Sequence, residues 1–176
     1  KKELLVKKFY LVRVYSPNGD FVDVKIKGDN IFDRAKFDQY LTEMAVDNGA
    51  ELCLGEKYLD FKNNEIITNK RKIKTKLLVG ADGPLSSVAK TNGLFVNRKF
   101  VTGLQARVKA KVNDDFYEVY LGKGYFGWSV PEDSNITRLG VIANFNPKNL
   151  FESYLKKIDG KIEEYQSGII PVYDPK

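Results

Sequence analysis

Apolar and polar residues alternate near the start of the chain and again after residue 98. The segments FYLVRVY (9–15) and FVDVKIK (21–27) flank SPNGD (16–20), whose residues favour a tight turn. This pattern predicts a β-hairpin. The later alternation predicts an antiparallel sheet of four or five strands. Its segments are VTGLQARVKAKV, FYEVYL, YFGWSV and TRLGVIANF.

Helical spacing separates these two regions. Asp33 is the expected N-cap of a helix that ends at Asn48-Gly49, and it should carry one apolar face. Two further helices are expected at 87–91 and 147–158. The apolar residues of the first helix recur every three or four positions: Phe37, Tyr40, Leu41, Met44 and Ala45.

Short strands with turn signals follow the first helix and predict a small antiparallel meander. Its last strand ends in the apolar run Leu77 to Val79, which is expected to be buried where it meets Gly80. A helix and meander beside an antiparallel sheet indicate an α+β fold, because a complete dinucleotide-binding fold would alternate strand and helix. The expected strands are ELCL, KYLDF, EIIT and KIKTKLLV.

The segment LLVGADGPLSSVAK (77–90) is a first candidate for ligand contact. Glycine lacks a Cβ and tolerates positive φ, so the backbone at Gly83 could approach a ligand closely. The serines that follow open a helix, whose first N–H groups favour an anion. Alternatively, these residues only end a strand, form a turn and start a helix. The segment alone does not distinguish this structural role from ligand contact.

A second glycine-rich segment, Gly122 to Gly127, has the G-x-G-x-x-G pattern of dinucleotide-binding loops. That function requires a helix after the loop. Here the next residues alternate and end in Pro131, so we predict a strand preceded by a hairpin turn. On this strand Phe126 and Trp128 share one face, which suits a long apolar ligand or a flat ring, or else fills a core.

The amino-acid composition excludes several classes of function. The 176 residues include no histidine and one cysteine, Cys53, which excludes a histidine-dependent triad, a disulfide framework and a structural zinc site within this chain. The net charge is +6, and the basic run NKRKIKTK (69–76) places four lysines on one strand face. No aromatics interleave with them, so we expect a protected edge strand, or weak attraction to acidic lipid, and no nucleic-acid partner.

Four motifs, in this order, resemble the geranylgeranyl reductase family of FAD-dependent oxidoreductases, which share the p-hydroxybenzoate hydroxylase-like fold. The resemblance runs from Ile31 to Lys176. The family's glycine-rich FAD loop and its second Gly-Asp segment are absent here, so we expect an internal part of such an enzyme, inactive by itself. The motifs are RAKFDQYLTEMAVDNGAEL, LLVGADGPLSSVAK, GYFGWSVP with Arg138-Leu139-Gly140, and GIIPVYDP.

The resemblance implies three parts. Residues 1–30 would form a β-hairpin at the interface between substrate and FAD. Residues 31–98 would be a partial FAD-binding domain with the helix, the β-meander and the Asp-Gly turn. Residues 99–176 would be the substrate-binding antiparallel sheet with a C-terminal helix.

The resemblance also implies cofactor contacts. Arg34 matches an arginine that reaches the phosphate and ribityl region of FAD, a role that suits a permanently charged, bidentate guanidinium. Tyr58 matches a strand residue that contacts the adenine through its backbone. Asp82 and Gly83 match a turn beside the pyrophosphate, where the carboxylate is expected to order backbone, water or Arg34.

For the substrate, the resemblance implies a wall with the motif aromatic-x-Trp-x-aromatic-Pro followed by lysine. Phe126, Trp128 and Pro131 match this motif, and Phe126 and Trp128 are expected to line an alkyl channel. Val130 and Glu132 depart from it, which leaves the pocket length and the preferred headgroup open. No residue is identified as a proton donor, so the catalytic residues are unknown.

The implied activity is the FAD-dependent reduction of isoprenoid, geranylgeranyl-type double bonds in archaeal-type lipid biosynthesis. The substrate would be an isoprenoid lipid or another apolar small molecule, and NAD(P)H or ferredoxin would be the external electron donor. We expect a cytoplasmic protein without a metal, and peripheral membrane contact stays open. Two alternatives remain: an FAD monooxygenase or halogenase that acts on an aromatic substrate, and a non-catalytic β-rich module that binds lipid or protein.

Overall fold

The computed structural model describes residues 4–96 and 98–172, which form two structural units. One unit contains residues 4–39 and 100–172, and the other contains the described residues between 40 and 99. Residues 173–176, which include the end of the GIIPVYDP motif, lie outside the described residues. In chain order the elements are β1 (Leu5–Tyr15), β2 (Phe21–Phe32), α1 (Arg34–Asp47), β3 (Tyr58–Lys62), β4 (Glu65–Thr68), β5 (Lys72–Lys74), α2 (Ser87–Thr91), β6 (Phe100–Lys109), β7 (Tyr117–Gly122), β8 (Tyr125–Asp133), β9 (Ile136–Ala143), α3 (Pro147–Lys157) and β10 (Lys161–Pro171).

A seven-stranded sheet forms the first unit, in the order β10-β6-β9-β8-β7-β1-β2. The predicted N-terminal hairpin is confirmed, since β1 pairs antiparallel with β2. The expected antiparallel sheet after residue 98 is confirmed as the five strands β6 to β10. β1 runs parallel to β7, so the hairpin extends the same sheet. Together with the separate helices, this mixed sheet confirms the α+β class.

One face of the large sheet is buried beneath α3. Alternate residues of β6 and β9 form the core, because successive side chains on a strand point to opposite faces. On α3, Phe151 is buried against them, as its helical spacing predicted. The intervening residues of each strand, which include Phe126 and Trp128 on β8, therefore lie on the opposite face. The core contains Leu104, Ala106, Val108, Ala110, Leu139, Val141 and Phe151.

The G-x-G-x-x-G segment is a hairpin turn, as predicted. Gly122 pairs with Tyr125 where β7 passes into β8. Between them, Gly124 has a φ of +78°, a conformation that favours glycine. This geometry excludes a dinucleotide-binding loop there, because no helix follows it.

The first helix is confirmed at α1, and its cap is as expected. Asp33 Oδ1 accepts a hydrogen bond from the Lys36 N–H at 3.2 Å, and Gly49 ends the helix with a φ of +93°. Among the described residues, the apolar positions of this helix do not form a buried face. No residue of α1 is buried, and Leu41 and Met44 are exposed.

The second unit contains the three-stranded antiparallel sheet β3-β4-β5 and the short helix α2. The helix at 87–91 is confirmed. The predicted strand KIKTKLLV is confirmed only over β5, and the predicted strand ELCL is wrong. ELCL is irregular, and Leu77 and Val79 are 75% and 74% exposed outside any strand. In the described part of the chain, no neighbouring strand pairs with this run. Instead the Thr75 hydroxyl bonds the backbone of Leu77, which turns the chain locally.

Candidate functional site

Trp128 stands at the centre of the open face of the large sheet. It pairs with Gly140 on β9 and with Val119 on β7, and Gly140 pairs in turn with Gln105 on β6. Residues directly opposite one another share a face, so they form one row across the sheet. From edge to edge the row contains Gln166, Gln105, Gly140, Trp128, Val119, Val14 and Val22.

The indole ring of Trp128 lies directly on the backbone of Gly140. A Cβ at position 140 would fall within contact distance of the ring's own atoms, so only glycine leaves the space that the indole occupies. The indole Nε1–H donates to Gln105 Oε1 at 3.1 Å, and Gln105 Nε2 donates to Gln166 Oε1 at 3.2 Å. These contacts hold the ring flat across neighbouring strands.

A groove of about 270 Å³ lies beside the indole. Gly103 and Gly168 pair across β6 and β10, and their missing side chains open its floor. Phe126, which is 41% exposed, continues the apolar surface, with its ring centroid 5.7 Å from that of Trp128. The residues lining the groove are Gly103, Leu104, Gln105, Trp128, Ile142, Gln166, Ser167, Gly168 and Ile170.

The structure therefore brings Phe126 and Trp128 together on one face, as the strand pattern predicted. The contribution of β6 and β10 to the groove was missed. A signal was present in the sequence, because Gly103, Gly140 and Gly168 lie inside strands, where glycine often marks a close approach of backbone or ligand.

An ion-pair cluster lies at one end of this face. Glu132 accepts hydrogen bonds from Arg107 Nε and Arg138 Nε, each at 2.8 Å and each on a different carboxylate oxygen. The side chain of Glu132 is only 13% exposed. Arg107 also donates a hydrogen bond from Nη1 to the carboxylate of Glu163. The sequence showed that Glu132 departs from the resembled motif, but its two arginine partners come from β6 and β9 and were missed.

In the second unit, Asp82 caps the start of α2. Its carboxylate accepts hydrogen bonds from the Ser86 hydroxyl and from the N–H groups of Ser87 and Val88, the latter two at 2.6 and 3.2 Å. The Ser86 hydroxyl, with these N–H groups, holds the pKa of the Asp82 carboxyl below its usual range. Asp82 thus orders the backbone at the start of α2, as expected for its carboxylate, and the N–H groups of Ser87 and Val88 are not free to bind an external anion.

The neighbouring site residues have different surroundings. Gly83 has a φ of +85°, and nothing lies within 4 Å of the position that a Cβ would take, so the backbone is open on that side. The Tyr58 hydroxyl hydrogen-bonds Thr91 Oγ1 at 2.7 Å and accepts from Asn92 Nδ2 at 3.2 Å. Tyr58 thus contacts the end of α2, while Asp82 contacts its beginning.

Arg34 lies in the first unit, at the start of α1. Its side chain is 78% exposed, pairs with Asp38 at 3.4 Å and lies 5.6 Å over the ring of Phe37. The guanidinium of Arg34 is therefore exposed to solvent. The occupied donors of α2 show that Asp82 would order the turn rather than bind phosphate. The cofactor contacts of these residues stay predictions.

Two further features of the described residues bear on the class of site. They contain no group of three or more acidic or cysteine side chains arranged to hold a metal ion. No helix within the described ranges is both long and apolar enough to cross a membrane.

The sequence comparisons identify reductases among the relatives of this chain. No family model matches it. It is 27% identical to digeranylgeranylglycerophospholipid reductase of Methanosarcina acetivorans, over 91% of this chain and 47% of that protein. It is 26% identical to geranylgeranyl diphosphate reductase of Rhodobacter capsulatus, over 73% of this chain and 38% of that protein. The chain spans less than half the length of either relative.

The structural comparisons show which solved proteins share this fold. A geranylgeranyl bacteriochlorophyll reductase-like protein of Thermoplasma acidophilum matches with a TM-score of 0.84 at 18% identity, over 97% of this chain and 52% of that one. A flavin-dependent brominase matches at 0.73 and 16% identity, over 93% and 50%. Aklavinone-11 hydroxylase, solved with FAD and aklavinone, matches at 0.67 and 13% identity, over 96% and 42%. These findings confirm the resemblance to geranylgeranyl reductases and show the fold shared by these flavin-dependent enzymes.

Proposed function

We propose, from the chain's relationship to the geranylgeranyl reductases and from its fold, that it is part of an FAD-dependent oxidoreductase that reduces isoprenoid double bonds of lipids. The observation that carries the proposal is the open aromatic face, where Trp128 lies flat on Gly140 beside an apolar groove. This part would hold the substrate and would supply some of the contacts to FAD. The names of the two curated relatives support the substrate class.

The groove has the chemistry that an isoprenoid chain requires. Its apolar surface comes from Trp128, Ile142 and Ile170, and Phe126 extends it. The side-chain amides of Gln105 and Gln166 are hydrogen-bonded to each other, and Gln105 is also bonded to the indole. An apolar ligand can therefore cover them without leaving these hydrogen-bonding groups unsatisfied. Covering this surface with a hydrocarbon chain is favourable by about 25 cal/mol for each Å² of apolar area removed from water.

Residue roles follow from this proposal. FAD, when bound, supplies the hydride chemistry. Arg34, Tyr58, Asp82 and Gly83 are proposed to lie at the cofactor: Arg34 as a charge partner, Tyr58 and Gly83 through backbone approach, and Asp82 by fixing the turn. Phe126 and Trp128 would hold the alkene and exclude water from it. No described residue is assigned as proton donor.

The cellular setting belongs to the same proposal. Electrons would come from NAD(P)H or ferredoxin, in archaeal-type isoprenoid lipid biosynthesis. The protein would work in the cytoplasm with peripheral contact to a membrane, where its substrates reside. The exposed basic residues near β5, such as Lys70 and Lys72, suit weak attraction to acidic lipid.

The structural neighbours favour a second candidate, an FAD monooxygenase or halogenase acting on an aromatic substrate. The brominase and the aklavinone hydroxylase share this fold, and a flat ring could also stack on Trp128. The two enzymes differ in their use of oxygen. A monooxygenase consumes oxygen with NAD(P)H, whereas a reductase saturates the isoprenoid without it.

The full-length protein provides the test. Its visible spectrum should show the absorption band of a flavin at about 450 nm. Absence of that band would favour a non-catalytic module that binds lipid or protein. Under anaerobic conditions with a chemical reductant, a geranylgeranyl lipid should gain two hydrogen atoms for each double bond reduced, as measured by mass spectrometry. Oxygen consumption with an aromatic substrate, and no saturated lipid, would favour the second candidate.

A matched pair of variants tests the assignment of the groove. F126A removes an aromatic ring from the open face and should lower the rate of saturation by about tenfold through lost alkene positioning. F145A removes a similarly exposed ring that packs against Tyr125, whereas Phe126 packs against Trp128, and F145A should keep the wild-type rate. Equal rates for both variants would place the substrate elsewhere.

A further inference from the structure

Gly168 differs from every other glycine in the described part of the chain. At each of the others, either the backbone has a positive φ or a Cβ would come within 4 Å of another residue. Gly168 has neither property, because its φ lies outside the positive region and no described atom lies within 4 Å of the Cβ position. This position could therefore carry a Cβ without strain or overlap.

The sheet makes a glycine at this position unfavourable. Gly168 lies in the interior of β10, where it pairs with Gly103 on β6. Glycine loses more conformational freedom on folding than any other residue, and strands favour β-branched residues instead. At Gly103 a Cβ would lie 3.3 Å from Ile170 Cδ1, so packing accounts for that glycine. Neither backbone conformation nor packing accounts for Gly168, and a glycine of this kind often marks the close approach of a ligand.

The open space at Gly168 belongs to the groove beside Trp128. Gln166, Gly168 and Ile170 share the open face of the sheet, because alternate residues of a strand point to the same side. Gln166 and Ile170 thus flank Gly168 on its own strand, each about 7 Å along it. All three residues line the groove. A side chain at position 168 would therefore stand between Gln166 and Ile170 and narrow the groove.

The width of the groove matters for the shape of a hydrocarbon chain. An isoprenoid chain carries a methyl branch on every fourth carbon of its main chain, so it is wider than a linear chain of the same length. Burying each branch is favourable, because it removes apolar area from water. A side chain that narrowed the groove would exclude the branches before it excluded the main chain.

We propose that Gly168 is a specificity-determining residue whose missing side chain widens the groove for the methyl branches of an isoprenoid. The inference rests on the proposed function, because it assumes that an isoprenoid chain lies in the groove. The glycine selects between ligands by leaving space rather than by adding a contact, since only a branched chain gains from the extra width. The cost is a strand that is less stable than it would be with a β-branched residue.

The test measures the binding of two alcohols to the 176-residue protein by titration calorimetry. Tetrahydrogeraniol, the fully saturated form of geraniol, and n-octanol have main chains of the same length and differ only in two methyl branches. The wild type should bind tetrahydrogeraniol about tenfold more tightly, because it buries two more carbon atoms. G168V should weaken tetrahydrogeraniol binding by about tenfold and n-octanol binding by at most about twofold.

The stability of G168V provides a second readout that a structural role would move in the opposite direction. Valine is favoured inside a strand, so the denaturant midpoint of G168V should equal or exceed that of the wild type. A glycine that the fold required would give a lower midpoint. G168A should weaken tetrahydrogeraniol binding by a smaller factor, and it decides the question if G168V does not fold.

K25V is the matched control on the same sheet. Lys25 is exposed on β2, at the opposite edge from β10, so K25V adds a valine to an edge strand away from the groove. Both alcohols should bind K25V with the wild-type affinities. If K25V weakens binding as much as G168V does, the effect is not specific to the groove and the role of Gly168 is overturned.

The remaining outcomes separate this role from the assignment of the groove. The role of Gly168 is overturned, while the groove remains a hydrocarbon site, if the wild type binds both alcohols equally. The same conclusion follows if the substitutions at Gly168 leave tetrahydrogeraniol binding unchanged or weaken both alcohols equally, or if G168V lowers the denaturant midpoint. If neither alcohol binds the wild type, the assignment of the groove fails and the role of Gly168 fails with it.

Discussion

The indole ring of Trp128 occupies the space that a side chain at Gly140 would need. The two residues face each other across β8 and β9, and a Cβ on Gly140 would overlap the ring. The position of the only tryptophan in the chain is therefore set by the absence of a side chain on the neighbouring strand. This relationship places an aromatic surface flat on the open face of the sheet, beside the groove.

G140A should displace the indole and destabilise the first unit. The added methyl forces either the ring or the strands to move, at a cost of about 1–3 kcal/mol. Chemical denaturation should show this loss, and tryptophan emission should shift to the red as the ring becomes more exposed. G168A is the matched control on the same face, because nothing lies within 4 Å of its Cβ position. An unchanged emission spectrum in G140A would show that the ring does not rest on Gly140.

The core beneath α3 should dominate the stability of the first unit. Leu139 is fully buried on β9, so L139A should lower the free energy of unfolding by about 2–5 kcal/mol through lost burial and a cavity. Leu121 on β7 is 48% exposed, and L121A should cost much less. Denaturant midpoints of the two variants compare them directly. Equal losses would mean that the buried face is not the one assigned here.

The second unit should exchange its amide hydrogens faster than the first. All of the fully buried apolar side chains in the described residues belong to the first unit, and none lies between residues 40 and 99. Central strands of the two sheets provide a matched comparison, β4 in the second unit and β9 in the first. Hydrogen exchange followed by mass spectrometry should show β9 protected at least about tenfold more than β4. Equal protection would contradict this difference in burial.

Tyr117 should ionise only at high pH. Burial, together with its hydrogen bond to Asp29 Oδ2 at 2.7 Å, raises the pKa of Tyr117 to about 12. An unfolded tyrosine titrates near about 10, so the neutral phenol stabilises the fold below that pH. This contribution is lost as the pH rises from about 10 to about 12, because the unfolded chain loses its proton first.

The difference between wild type and Y117F isolates this group. When phenolate absorbance in the ultraviolet is followed against pH, the wild-type curve should contain one more titrating tyrosine than the Y117F curve, centred near pH 12. The fall in unfolding free energy between about pH 10 and about pH 12 should be shallower in Y117F. If the difference between the two curves is centred at about pH 10, Tyr117 is neither buried nor bound to Asp29 in solution.

Features that depend on neighbouring residues were predictable from the sequence. The start of α1 at Asp33, the helix at 87–91 and the turn at Gly124 each follow from residues within one turn of the chain. Local capping and turn chemistry decide such structures, so the same residues specify them in any fold.

Features that depend on distant strands were not predictable. Leu77 to Val79 has the composition of a buried strand, but burial also requires neighbouring strands, and the described residues supply none there. The groove depends on Gly103, Gly140 and Gly168, which come from three strands and meet only through the pairing register of β6, β9 and β10. Composition alone does not specify that register.

The tryptophan emission of the 176-residue protein during a titration with geraniol tests the central claim most directly. Trp128 is the only tryptophan, so the signal comes from the wall of the groove. We predict a saturable blue shift, because a hydrocarbon chain in the groove replaces water at the indole. F126A should weaken the apparent affinity for geraniol. An emission spectrum that stays constant, while the full-length protein still reduces isoprenoid double bonds, would contradict the claim that the chain binds on this face.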